Sequence, residues 1–509
     1  MSTDHSVLNR RNLLAGLAAS VALPAFARAP ARSPFPHANP RLVAAPVDIS
    51  ALPIRRPAGG LSEFLARANL SGETGVVALD AETGEVIEEH RGNLLLPPAS
   101  TAKAVTAMYA VQALGLEYRF VTRVLIGRGQ IEDGTLRGDL VLKGGGDPVL
   151  QTADLAALAD ALIAQGLRRV EGRFLVDGTA LPTITHIDRT QPVEAGYNPS
   201  LSGINLNFNR VHFGWDVQGG RASVMMDARS NREVPEVSVI DMQAVSRNLP
   251  VYTHDFSGAR ERWTVAGSAL RRAGSRWLPV RRPQAYAGDV LRVLLQARGC
   301  RLPEAEVTRS AQGGAVIAEH RSPPLTTILR GMLRYSTNLT AECVGLAAST
   351  SGGQQLRALA PSARMMNQWA ARAHGARGVD FLDHSGLGAG SRISTQAMAQ
   401  FMLSARREGI LPDLLREHPM RDAQGQQIRN HPVEVLAKTG TINFVSALTG
   451  YAQPRGGRPI VFSIISADLS RRRAPGETSL EQPAGTRAWT RRARVLQQDL
   501  IERWTQLQG

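Results

Sequence analysis

Lysine is the scarcest charged residue in this 509-residue chain: of its 59 lysines and arginines, only Lys103, Lys143 and Lys438 are lysines. Arginine keeps its proton across the physiological range, whereas a desolvated lysine can lose one. A chain that uses arginine wherever plain positive charge suffices marks its few lysines as candidates for proton transfer. Cysteine is rarer still, and Cys300 and Cys343 have neither metal-binding nor redox spacing. In an oxidising compartment they could pair, and two buried free thiols fit the sequence equally well. Aromatics are 5% of the chain and no nucleic-acid motif occurs, so nucleic acid is not the expected partner despite a formal charge of +15. No histidine cluster has ligand spacing, so neither a metal nor another cofactor is expected. Beyond the N-terminal region no stretch is long and apolar enough to span a bilayer.

The N-terminal region is itself a signal. Asn9-Arg10-Arg11-Asn12-Leu13-Leu14 sets twin arginines before an apolar run ending near Leu23, and Ala25-Phe26-Ala27 offers a small-x-small cleavage site. Residues 1–27 are expected to be an export signal, and 28–47, rich in Pro, Ala and Arg, a linker. The mature protein is expected to be soluble in the periplasm. There its positive charge would suit an anionic envelope polymer or peripheral contact with a membrane surface, although an Arg-rich solvated exterior explains it more simply.

The rest of the chain changes pattern twice. Leu61–Ala68 reads as a short helix, and Gly75–Asp80 with Glu85–Ile87 as strands around a turn. From 120 to about 317 short strands dominate, with an amphipathic helix at Asp154–Gln165 and an alternating strand-like stretch at Ser202–Asn209. Lys143-Gly144-Gly145-Gly146-Asp147-Pro148 reads as a structural turn, since no G-K-[ST] follows to cradle phosphate. Helical spacing resumes from Pro323 through Leu325–Leu333, Leu339–Leu346 and Pro361–Ala373, then behind Ser394. Asp383–Gly388 is a loop expected to shape a cleft. Its adjacent His384 and Ser385 do not face each other as a nucleophile pair would. Ser446–Ala452 and Ile460–Ser466 flank a Pro-Arg-Gly-Gly-Arg-Pro turn, and Leu496, Leu500 and Trp504 mark one face of a last helix. Arg471-Arg472-Arg473 reads as a surface loop.

Three short motifs carry chemistry. In Ser100-Thr101-Ala102-Lys103, after Pro97 and Pro98, an extended approach leads into a helix whose first turn sets the Lys103 amine beside the Ser100 hydroxyl. A hydroxyl becomes a nucleophile when a base takes its proton, and the helix dipole and desolvation both favour a neutral lysine. Ser336-Thr337-Asn338 and Lys438-Thr439-Gly440-Thr441 complete the set, and two of the three lysines fall inside it. Their order matches the S-x-x-K, S-x-N and K-T-G motifs of penicillin-binding proteins and serine β-lactamases. Lys103 would deprotonate Ser100. Ser336 and Asn338 would relay a proton and orient Lys103, and Lys438, Thr439, Gly440 and Thr441 would bind a substrate carboxylate. The N–H groups of Ser100 and Thr441 could form an oxyanion hole.

The wide separation of Ser100 from Ser336 implies an inserted region. Over about residues 50–509 the chain resembles the D-alanyl-D-alanine carboxypeptidase/DD-endopeptidase family, the class C, type-4 penicillin-binding proteins. The resemblance includes Lys143–Pro148 and Lys438–Ile442 through Leu448-Thr449-Gly450-Tyr451. It departs from the usual middle motif, which has Asp where Thr337 stands. It implies an α+β fold: a serine β-lactamase/DD-peptidase-like catalytic domain, an antiparallel sheet flanked by helices. That domain would be built from 48–119 and 318–509, around mainly β inserted domains within 120–317. It also implies peptidoglycan stem peptides as substrates, and β-lactams as covalent inhibitors at Ser100. The alternatives are a β-lactamase or esterase on the same framework, and a catalytically slow wall-binding protein.

Overall fold

The structure is a computed structural model that describes residues 59–507 apart from 220, 311, 423 and 473–482. The expected export signal and linker lie outside the described residues. Both ends of the described chain meet in one antiparallel sheet. Strands Arg416–Glu417, Val433–Ile442, Val445–Pro454, Ile460–Ala467, Glu73–Asp80 and Val86–His90 lie side by side in that order.

Alternate residues of a strand point to opposite faces, and here both faces are buried. Val77, Val461 and Ile465 join a core with the helices Ala102–Leu114, Leu325–Tyr335, Asn338–Thr350, Leu359–His374 and Thr395–Arg407. Val76, Ala78, Phe462 and Ile464 pack on the opposite face against Phe64 of helix Leu61–Ala68 and Leu496, Leu500 and Trp504 of helix Thr486–Leu507. That two-sided burial explains why Val76-Val77-Ala78-Leu79 and, apart from Ser463, Ile460–Ile465 are apolar without alternation. Helix Ala102–Leu114 is buried at every position from Ala102 to Ala110. A helix buried all round lies inside the protein, and the small Ala side chains let its neighbours pack close.

The inserted region leaves and returns at adjacent points. Phe120 and Ser322 are joined by two hydrogen bonds, one between backbones from Ser322 N to Phe120 O (2.9 Å) and one from Phe120 N to the Ser322 side-chain Oγ (3.0 Å). The strands beyond them, Val121–Arg128 and Ala315–Arg321, pair antiparallel at one edge of a five-stranded mixed sheet. Further three-stranded sheets and the helices Thr152–Ala164 and Pro283–Ala297 complete the region.

Three local expectations need correction. Ser202–Asn209 is not a strand: Asn207, Phe208 and Asn209 all have positive φ and form a tight turn. Its asparagines bond to nearby backbone, as Asn205 Oδ1 accepts from Ser202 N (3.0 Å) and Asn209 Oδ1 from Leu206 N (3.0 Å). Polar alternation therefore reflected local side-chain capping, not a sheet face. Arg471 and Arg472 end a one-turn helix, Leu469–Arg472, with the Arg471 guanidinium 4.3 Å from the Phe444 ring centre; Arg473 lies outside the described residues. Pro98 is helical (φ −69°, ψ −24°) rather than extended, and the chain turns at Ala99 (φ 45°). The Lys143–Pro148 turn is structural as expected: Lys143 Nζ donates to Gln312 O (2.5 Å), and a Cβ on Gly145 would fall 2.3 Å from Val121 O. Cys300 and Cys343 are buried free thiols in separate cores.

Candidate active site

Ser100 lies in a 3₁₀ turn, Ala99–Thr101, that runs directly into helix Ala102–Leu114. Two glycines let other elements touch that turn. A Cβ on Gly386 would fall 1.8 Å from Ala99 O, and one on Gly440 would fall 2.9 Å from Pro98 O and Ser100 N. Any side chain at either position would push the 383–388 loop or the 433–442 strand away from the serine.

Lys103 is fully buried beneath Ser100, and its Nζ donates to Ser100 Oγ (2.8 Å), Asn338 Oδ1 (2.7 Å) and Ser385 O (2.8 Å). Two of these partners are carbonyl oxygens, which only accept. A neutral lysine retains two N–H groups and one lone pair. With both N–H groups committed to Asn338 and Ser385, the lone pair faces the one partner with a proton to give, the Ser100 hydroxyl. Burial pushes the Lys103 pKa down to about 7, against the opposing pull of Glu342 and Asp383. Desolvation, rather than the helix dipole, is the principal cause.

Ser336 ends helix Leu325–Tyr335 in the left-handed conformation (φ 59°), which reverses the chain so that Asn338 can start the next helix. A non-glycine residue held there is strained, and such strain is characteristic of functional sites. The turn aims Ser336 and Asn338 at different lysines. Lys438 Nζ donates to Ser336 Oγ (3.0 Å) and Thr439 O (2.6 Å), while Asn338 Oδ1 takes Lys103. Asn338 Nδ2 donates to Tyr197 O (2.8 Å), so the inserted region also reaches the site. Lys438 is buried, and its pKa is held well below the ordinary value by burial and by Lys103 and Arg416 nearby. Lys438, Thr439, Gly440 and Thr441 all belong to strand Val433–Ile442, so the K-T-G residues sit on a rigid central strand.

The eight expected site residues thus converge. Ser100, Ser336, Asn338, Thr439 and Thr441 line one cleft of about 1670 Å³; Lys103, Lys438 and Gly440 lie buried beneath its floor. Sequence reasoning missed the layer behind them. Asp383 Oδ1 accepts from the N–H groups of Ser385 (2.9 Å) and Gly386 (2.5 Å), and its Oδ2 from Gly388 N (2.8 Å) and Ser391 Oγ (3.0 Å). Fully buried Glu342 accepts from His384 N and Ser385 N, both at 2.9 Å, and burial pushes its pKa up to about 8. Together they fix the Ser385 carbonyl that receives Lys103. A lone acid in the apolar stretch Leu339–Leu346, one helical turn after Asn338, was the available signal for Glu342. His384 and Ser385 are not a nucleophile pair: His384 Nε2 meets Ser362 Oγ (2.7 Å), and Ser385 Oγ donates to Asp383 (3.1 Å). Among the described residues no group of acids, histidines and cysteines is arranged to hold a metal ion.

A serine held by a buried lysine, a second serine held by a second lysine, and a strand against the Ser100 turn form the arrangement a Ser/Lys acyl-transfer hydrolase requires. The chain belongs to the D-Ala-D-Ala carboxypeptidase 3 (S13) family, whose sequence profile matches residues 58–482, and so to the serine-type D-Ala-D-Ala carboxypeptidases. It is 22% identical to the D-alanyl-D-alanine carboxypeptidase DacB of Haemophilus influenzae over 434 residues, 79% of this chain and 87% of that protein. It is 27% identical to a D-alanyl-D-alanine carboxypeptidase of an Actinomadura species over 437 residues, 77% of each chain. The crystal structure of penicillin binding protein 4 (dacB) from H. influenzae superposes with a TM-score of 0.71 at 20% identity, covering 87% of this chain and all (100%) of that one. That likeness establishes the α+β fold. The same Haemophilus protein has been crystallised with a β-lactam (TM-score 0.68).

Proposed function

We propose that this protein is a serine DD-peptidase that hydrolyses the D-Ala–D-Ala bond of peptidoglycan stem peptides through an acyl-enzyme on Ser100. The observation that carries this reading is the three-way coordination of Lys103 Nζ by Ser100, Asn338 and Ser385. Neutral Lys103 takes the Ser100 proton as Oγ attacks the carbonyl carbon. The oxyanion is received by the backbone N–H groups of Ser100 and Thr441. The leaving amine needs a proton, and Ser336, bonded to Lys438, is placed to relay it. Water then cleaves the ester, and Ser100 recovers its proton.

A cross-link between D-Ala and diaminopimelate is the same kind of amide, a D-centre beside a carboxylate, so DD-endopeptidase action follows from the same site. A penicillin presents a strained amide next to a carboxylate and acylates Ser100 in the same way. The twin arginines, apolar run and cleavage site of residues 1–27 support a periplasmic location, where these substrates are found. Changing Arg10 and Arg11 to Lys should leave the precursor in the cytoplasm; unchanged export would refute the twin-arginine route. The activity is tested by incubating the enzyme with a stem pentapeptide and measuring released D-alanine. Release that disappears in Ser100→Ala supports the reading. Hydrolysis of simple esters or cephalosporins without any D-alanine release refutes it.

A further inference from the structure

The motif reading assigns the substrate carboxylate to Lys438, but the structure places that lysine poorly for the task. Its Nζ is turned under the cleft floor to Ser336 and Thr439, and Lys438 does not line the cleft. The positive charge at the cleft surface comes from elsewhere. Among the described lining residues, seven arginines face one carboxylate, Asp422, whose Oδ1 already accepts from the N–H groups of Gln424 and Gln426.

Three of those arginines, Arg416, Arg421 and Arg494, surround His418. Their charges add to burial in pushing its pKa down to about 4, so His418 is neutral at working pH and offers them no counter-charge. Arg494 places its Nη2 3.4 Å from Thr441 Oγ1, on the strand that carries Lys438, Thr439 and Gly440. It is exposed, and among the described residues no ion pair holds it.

Its backbone is firmly anchored. Arg494 projects from helix Thr486–Leu507, whose inner face carries Leu496, Leu500 and Trp504 into the core behind the sheet. Gln497, on the next turn, donates to Ser446 Oγ (3.1 Å), and Ser446 is the strand partner of Thr441. A guanidinium held by a helix, beside a threonine hydroxyl and with unused donors, is a preorganised carboxylate site. Surrounding arginines raise the local positive potential for an incoming anion.

We propose that Arg494, acting with Thr441, anchors the carboxylate beside the scissile amide and makes the enzyme selective for carboxylate-bearing leaving groups. This rests on the DD-peptidase reading above and replaces Lys438 as the source of the binding charge. Lys438 is left to the proton relay through Ser336.

The test uses two peptides with the same acyl half, one ending in D-alanine and one in D-alaninamide, with kcat/KM measured on each. Wild type should favour the acid by about ten-fold or more, the range of a hydrogen-bonded charge pair. Arg494→Gln should reduce that preference by about ten-fold, and Arg494→Lys should recover part of it. Arg492→Gln removes an exposed charge from the same helix outside the cleft and should leave the preference unchanged. A wild-type preference retained in Arg494→Gln overturns the proposal. Equal rates on acid and amide, with D-alanine release still dependent on Ser100, overturn the anchor and leave the DD-peptidase reading standing. Absence of Ser100-dependent release overturns both.

Discussion

Lys103 is the residue on which the proposed chemistry turns. Its burial removes the stabilisation that water gives an ammonium, and its two fixed acceptors, Asn338 Oδ1 and Ser385 O, leave Ser100 as the single proton donor within reach. With its pKa pushed down to about 7, the neutral base form is gained as pH rises through that value. Acylation by penicillin, followed as a rate against pH, should therefore climb through about pH 7 and level off above it. Lys103→Arg keeps the charge and loses the base, and acylation should fall by about 10²–10⁴-fold with the fold retained. A Lys103→Arg enzyme acylated at near the wild-type rate would rule Lys103 out as the base. The rarity of lysine pointed to this residue, and the three-residue spacing put it beside Ser100. Nothing in the sequence pointed to the Ser385 carbonyl, because that contact joins residues far apart in the chain.

At the scale of elements, the site depends on a loop held by one carboxylate. Asp383 gathers the 383–388 turn around itself, and the turn presents Ser385 O to Lys103 and lets Gly386 touch the nucleophile turn. Asp383→Asn replaces one acceptor oxygen with a donor facing N–H or O–H groups, and should cost about 1–3 kcal/mol of stability in urea denaturation. Asp383 also raises the Lys103 pKa through its charge, so its removal should move the midpoint of the acylation profile below about 7. A loss of stability with no movement of that midpoint would make Asp383 purely structural. Elements with strong periodicity were legible, helix Leu61–Ala68 to the residue. Ser202–Asn209 was not, because asparagines bonding their own backbone imitate the alternation of a strand. The left-handed turn at Ser336 was also beyond sequence reasoning, since tertiary contacts rather than local preference hold a serine there.

Across the whole molecule, Ser100 and Lys103 come from one part of the chain and Ser336, Asn338 and Lys438 from another. Pairing of Glu73–Asp80 with Ile460–Ala467 brings the two parts together. Apolar runs flanking turns revealed both strands and could not reveal that they pair; that expectation came from the family resemblance alone. Net positive charge was equally visible, but its concentration beside the K-T-G strand required the fold. The central claim is that this assembly makes Ser100 the acylated residue, and the most direct measurement is to locate the acyl group. The protein is incubated with benzylpenicillin, digested and mapped by mass spectrometry. The account predicts one penicilloyl adduct on the peptide containing Ser100, absent from Ser100→Ala. An adduct on Ser336 or Ser385, or labelling that survives in Ser100→Ala, would contradict it.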